Sequence, residues 1–137
     1  MSTNQTENYG LHAWEAEDDF LREEMNENFA MLDAALGGMV TVGKYTGDGT
    51  KDRVIALGFT PRAVLIMPQD QHMNETYYSM GGLVLKDSPL IHGGKDRIAA
   101  IVEGGFQVSH FLYRYTNYNT TATCNPSGDV IHYAALR

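Results

Sequence analysis

Leu32-Asp33-Ala34-Ala35-Leu36-Gly37-Gly38-Met39-Val40-Thr41-Val42-Gly43-Lys44-Tyr45 changes its period in the middle. Before the glycine pair, Leu21, Met25, Phe29, Leu32 and Leu36 recur every three or four residues and make an apolar stripe along one face of a helix. That rhythm is close to the natural helical period, so helices packed through the stripe need little supercoiling. After the pair, Val40-Thr41-Val42-Gly43-Lys44-Tyr45 alternates at the strand period of two. Gly37-Gly38 marks the helix end, and Asp18 or Asp19 is the expected N-terminal cap, with Glu15, Glu17, Glu23 and Glu24 crowding the positive end of the helix dipole. The chain therefore divides into an N-terminal arm and acidic helix over 1–38 and a β-domain, the head, over 39–137.

Working outward through the head, short apolar stretches alternate with turn signals. Gly47-Asp48-Gly49-Thr50 separates residues 40–45 from Arg53-Val54-Ile55-Ala56-Leu57, which together predict a β-hairpin. Ala63-Val64-Leu65-Ile66-Met67, closed by Pro68, is apolar throughout and predicts a strand buried on both faces. Residues 69–76 read as polar loop, Tyr77 to Leu85 as β-like around Gly81-Gly82, and Lys86 to Arg97 as loop. Ile98 to Val102, Gly104-Gly105 and Phe106 to Tyr113 predict a second hairpin, and the turn-rich stretch Asn117 to Gly128 precedes a last strand, Val130 to Leu136. Six or seven short strands with one helix before them predict a mainly β protein: an antiparallel β-sandwich of jelly-roll type carrying one N-terminal α-helix.

Of 137 residues, 17 are acidic and 10 basic, giving a net charge of −7. The imbalance lies at the front, where Glu7, Glu15, Glu17, Asp18, Asp19, Glu23, Glu24, Glu27 and Asp33 face Arg22 alone. An acidic helix before a near-neutral head argues against nucleic acid or an anionic membrane as partner, since both demand a concentrated basic face. No apolar run is long enough for a transmembrane helix, and the polar start predicts no secretory signal, so synthesis in a cytoplasm is expected. Cys124 is the single cysteine, which excludes an intrachain disulfide and a thiolate metal cluster.

Two groups of phrases are familiar. Asn8-Tyr9-Gly10-Leu11-His12-Ala13-Trp14-Glu15-Ala16-Glu17-Asp18-Asp19-Phe20-Leu21, with Asn26-Glu27-Asn28-Phe29 and Leu32-Asp33-Ala34-Ala35-Leu36, resembles the N-terminal region of tail-fibre and other virion proteins from phages and prophages of Gram-positive gut bacteria. Gly43 to Thr50, Ile55 to Ile66, Gly105-Phe106-Gln107-Val108 and His132-Tyr133-Ala134-Ala135 look like the β-domain of the same family. The resemblance implies a virion protein, trimeric, whose helical segment attaches to other virion proteins or trimerises and whose head faces the host surface. It implies no catalytic residue. The residues themselves agree on one point: a lone helix with an apolar stripe and an acidic remainder needs a partner surface. A second copy supplies one through Leu21, Met25, Phe29, Leu32 and Leu36, and packing on the chain's own head is the other solution. Acidic helices brought side by side repel, so salt is expected to strengthen self-association through them.

The residues best suited to hold a ligand are Tyr113, Arg114, Tyr115, Asn117, Tyr118 and Asn119, with Tyr77 and Tyr78 as a second group. Tyrosine rings pack on the apolar faces of sugars while amides and guanidinium groups bond to hydroxyls, the combination a host-surface glycan requires. The same side chains also suit cross-strand packing at a sheet edge. The five histidines, His12, His72, His92, His110 and His132, show no metal-ligand spacing, and His110 reads as a core histidine, so no metal or cofactor is expected. No nucleophile elbow, phosphate loop or dinucleotide fingerprint occurs, and the carboxylates fall mostly in turns. A non-enzymatic receptor-binding fibre is thus the expectation. A purely structural capsid-fibre or decoration subunit and a small polysaccharide hydrolase are the alternatives.

Overall fold

The computed structural model describes residues 1–137 and divides them into two compact units, Met1–Met39 and Val40–Arg137. In the first unit the polar arm is ordered: β1 (Asn4–Gln5) pairs antiparallel with β2 (His12–Ala13), ahead of helix α1 (Arg22–Gly37). The helix starts later than expected, with Leu21 at the N-cap position and no side-chain cap. Asp18 is occupied elsewhere: its carboxylate accepts from the amides of Glu15 and Thr3 and from the Thr3 hydroxyl, at 2.8–3.0 Å. These bonds, that to Glu15 first, hold its pKa below the ordinary carboxylate value.

The arm covers the helix's polar side. Glu24 and Asn28 are buried, Glu24 taking both the Ser2 amide and the Trp14 indole N–H, and Asn28 exchanging two hydrogen bonds with the His12 backbone. Burial works against the ionised form of Glu24, but the bonds from Ser2 and Trp14 outweigh it and lower the pKa. The apolar stripe stays open in consequence. Leu21, Phe29 and Leu36 are 38%, 62% and 67% exposed, with Met25 and Leu32 part-buried between them.

The head is built of β3 (Val40–Thr46), β4 (Arg53–Ala56), β5 (Ala63–Pro68), β6 (Asn74–Glu75), β7 (Tyr78–Met80), β8 (Gly82–Leu85), β9 (Leu90–His92), β10 (Asp96–Val102), β11 (Gly105–Val108), β12 (His110–Arg114), β13 (Asn119–Thr123) and β14 (Val130–Leu136). They form three four-stranded sheets, ordered β3-β14-β5-β8, β4-β11-β10-β9 and β12-β13-β7-β6. Pairing is antiparallel except between β13 and β7, which run parallel. The protein is therefore mainly β, with antiparallel sheets and one helix. One core serves all three sheets, with Val64, Ile66, Val84 and Ile131 from the first, Ile98, Phe106 and Val108 from the second, and Met80 and Ala122 from the third.

Four local expectations are corrected. The predicted hairpin of residues 40–45 with 53–57 does not form: β3 pairs with β14 and β4 with β11, in different sheets. The turn between them is bound across the molecule as well as to itself. Gly47 lies so close to Pro126 that a Cβ there would stand 1.8 Å from the Pro126 carbonyl oxygen, and the buried Asn125 ties the turn in place. The predicted continuous strand 106–113 breaks at Ser109, whose buried hydroxyl accepts from the Asp52 amide and whose backbone bonds to Ile98 and Cys124. Here the chain passes from the second sheet to the third. The loops expected over 86–97 and 117–128 contain β9, the start of β10, and β13; β9 is only three residues long and β13 is polar, so neither stands out. At Gly81, with φ +80° and a prospective Cβ 2.3 Å from the Ile66 carbonyl oxygen, the chain passes from the third sheet to the first.

The fourth correction concerns β5. Its burial alternates, so only one face is covered. The outer face of its sheet is set out by the register in three cross-strand rows: Val40–Leu136–Ala63–Leu85, Val42–Ala134–Leu65–Leu83 and Lys44–His132–Met67. Two of the three carry no polar side chain.

Asp48 gives a measurable handle on the cross-molecule turn. The Thr50 hydroxyl and amide and the Asn125 amide donate to its carboxylate, and Arg53 lies 3.5 Å away, which lowers its pKa from 3.8 to about 2. A folded-state pKa below the unfolded one contributes stability that is complete above about pH 4 and is lost as the pH falls toward 2. Between those pH values the melting temperature of Asp48→Asn is expected to fall less steeply than that of the parent. Parallel profiles would refute the role of this carboxylate.

Candidate functional site

Strands β12 and β13 form a hairpin whose last ladder pair is Arg114–Asn119. Tyr115 and Tyr118 continue it, the Tyr115 amide donating to the Tyr118 carbonyl at 2.8 Å, so Thr116 and Asn117 make the tip. Cross-strand neighbours on one face stand close enough for side chains to meet, and these two rings stack at 4.8 Å and 22°. A third ring joins from a distant part of the chain. The Tyr77 carbonyl accepts from the Thr121 amide at 2.8 Å and the Thr120 hydroxyl at 3.0 Å, which fixes its backbone beside β13 and brings its ring 5.5 Å from that of Tyr118. Tyr115, Tyr118 and Tyr77 are each about half exposed, at 52%, 48% and 49%. They make an open aromatic shelf with Asn117 at its end.

The remaining candidates are placed apart from the shelf. Tyr113 lies one pair nearer the core; its ring stacks on Phe111 and lies 5.0 Å from His92, and its hydroxyl donates to Asp96 at 2.6 Å. Burial, followed by that bond, pushes its pKa up, and its work is to hold β12 against the β9–β10 hairpin. Strand alternation puts Arg114 and Asn119 on the opposite face from the shelf, the face that also carries Leu112, Thr121 and Tyr78. There Tyr78 helps line a groove of about 390 Å³ with Gln71, His110, Thr121 and Asp129. His110 is half-buried, bonded through Nδ1 to the Thr123 hydroxyl at 3.1 Å, and lines this groove instead of the core. Its strand is separate from that of the core residues Phe106 and Val108, which corrects the reading of His110 as a core histidine.

Gln71, Asp129 and His110 had no sequence signal as a group, because the loop before β6, the start of β12 and the loop before β14 are far apart in the chain and meet only in the fold. No three or more His, Cys, Asp or Glu side chains come together in a way that could hold a metal ion. Cys124 is buried, and that burial pushes its thiol up to about 12, so it stays protonated and unreactive at neutral pH. No helix is long and apolar enough to cross a membrane. No protein-family model, curated protein or solved structure matches the chain.

Proposed function

We propose that this chain is a non-enzymatic fibre or receptor-binding protein of a phage virion, which oligomerises as a trimer through α1 and binds a host-surface glycan with its head. The observation that carries the ligand half is the shelf of Tyr115, Tyr118 and Tyr77, three rings left half open to solvent at a hairpin end. Aromatic rings that serve only packing are drawn under cover, as Tyr113 is; these three present flat apolar faces near a hairpin tip that carries Asn117, suited to a sugar ring and its hydroxyls. The shelf is open instead of concave, so each site binds weakly and several copies on one particle supply avidity.

The observation that supports the oligomer is the stripe of Leu21, Phe29 and Leu36, uncovered while the opposite, polar side of the helix is covered by its own arm. Residues 1–38 serve as the attachment and assembly element, shared with other virion proteins. For the head we propose a jelly-roll-like sandwich in which β3-β14-β5-β8 forms one wall. The other two sheets, continuous through the Ser109 corner, form the second. The head of such a protein works outside the host cell, as part of a particle assembled in its cytoplasm.

A glycan array probed with the full chain tests the ligand half. A hit whose affinity drops about tenfold in Tyr115→Ala and again in Tyr118→Ala, with melting temperatures unchanged, is the expected result. A ligand bound equally well by both variants would remove the shelf from the function. A blank array together with tight binding of a virion protein to residues 1–38 would favour the purely structural subunit.

A further inference from the structure

The outer face of the β3-β14-β5-β8 sheet departs from the rule for a solvated antiparallel sheet, whose open face is polar. Val42 is 75% exposed, Leu83 54%, and Leu65 on a central strand 37%. Four strands about 4.8 Å apart and about six residues long at about 3.4 Å each present roughly 400 Å² in plan, and side-chain relief raises this toward about 600 Å². That approaches the roughly 800 Å² which each partner contributes to a standard interface. It is more than one sugar or one added strand would cover.

Charge identifies the occupant. None of the chain's 17 carboxylates lies on the three rows, and Lys44 and His132 are their only ionisable groups. Copies of a chain with net charge −7 repel one another, and this acid-free face is where they meet with least repulsion. An anionic bilayer would be repelled by the same net charge, and a basic partner would find no carboxylate to pair with. Shape agrees: Ala134, on central strand β14, lies in a shallow, open depression of about 540 Å³ bordered by Val42, Leu65 and Met67. Ridge and hollow on one surface are what association of identical copies needs.

We infer that this face is a self-association surface whose occupant is a second copy of this chain, so that the heads hold the oligomer together alongside the helices. The inference rests on the oligomeric part of the proposed function and assigns it a second, independent surface.

Light scattering coupled to size exclusion on the full chain tests it, comparing the parent with Val42→Asp and Leu83→Asp on the face, Phe29→Asp on the helix, and Val54→Asp on β4 of another sheet. The expected result is a parent mass that is a multiple of 15.2 kDa and persists in 1 M NaCl. Each face variant should raise the dissociation constant about tenfold or more, while Val54→Asp leaves the mass alone. If Phe29→Asp dissociates the oligomer and the face variants do not, this inference falls and the helix reading stands. A parent of 15.2 kDa at every concentration sinks both. Flotation of the parent with phosphatidylcholine vesicles, lost in Val42→Asp, would make lipid the occupant and also overturn it. Should an aspartate variant fail to fold, Val42→Thr and Leu83→Thr remove apolar surface at a smaller cost in strand propensity and give the same readout.

Discussion

Phe106→Ala is expected to lower the stability of the head by about 3–5 kcal/mol, the cost of emptying a phenylalanine site in a packed core. Phe106 is fully buried on β11, and its ring meets Tyr133 edge-on at 5.2 Å and lies 6.1 Å from Tyr45. Those two tyrosines come from β14 and β3 of the first sheet, so the ring joins the first sheet to the second. Tyr45 is fixed in turn, its hydroxyl donating to the Cys124 carbonyl, and cannot swing in to fill the space. A domain of this size holds about 5–15 kcal/mol in all, and each kcal/mol moves its melting temperature by about 4–8 °C. Urea unfolding followed by circular dichroism measures the loss. A change below about 1 kcal/mol would mean that the first and second sheets are not joined through this ring.

The second large effect is expected at Asn125, and its cause is polar. Asn125 is fully buried, donating from Nδ2 to the Asp48 carboxylate at 2.6 Å and the Thr50 carbonyl at 3.0 Å, and accepting at Oδ1 from the Asp48 amide and Arg53, both at 3.2 Å. Alanine would remove these four bonds and leave a void at a fully buried position, while Asp48 and Thr50 stay open to water, at a cost of about 1–2 kcal/mol. Because Asp48, Thr50 and Asn125 act as one network, Asn125→Ala and Asp48→Ala should be non-additive, the double variant losing less than the two singles together. Additive losses would show that the turn is held by the close approach of Gly47 to Pro126 instead.

That network also explains where sequence reading stopped. The hairpin signal of Gly47-Asp48-Gly49-Thr50 is local, whereas its pairing is decided by Asn125 and Pro126, far along the chain; nothing in residues 40–57 records that they will take over the turn. Where the pattern alone marks a strand, or the pairing is local, the reading succeeded: the apolar run Val130 to Leu136 is β14, and Gly104 carries the chain from β10 into its neighbour β11. Strands β9 and β13 were hidden because short, half-open segments need few apolar residues. At the candidate site, the pairing of Tyr115 with Tyr118 was legible as a cluster. The arrival of Tyr77 and the withdrawal of Tyr113 were not, because one depends on the parallel β7–β13 pairing and the other on Asp96 claiming a hydroxyl. The apolar sequence of β5 predicted cover on both sides, and the second cover is what the self-association surface would supply.

The place of β14 in its sheet bears on how the head comes into being. It is the last strand of the head to leave the ribosome, yet it lies between β3 and β5, pairing with both along nearly its whole length. Until it inserts, the first strand of the head has no partner and β5 has only β8, so pairing waits on contacts of very long sequence separation, which fold slowly. Growing chains therefore expose unpaired edges throughout synthesis, when they are prone to stick to one another. The same insertion supplies Leu136, Ala134 and His132, one residue to each outer row, so the surface that would join copies does not exist until the head is complete. Association through that face would thereby follow completion of the head, and unfinished heads would be left out of it.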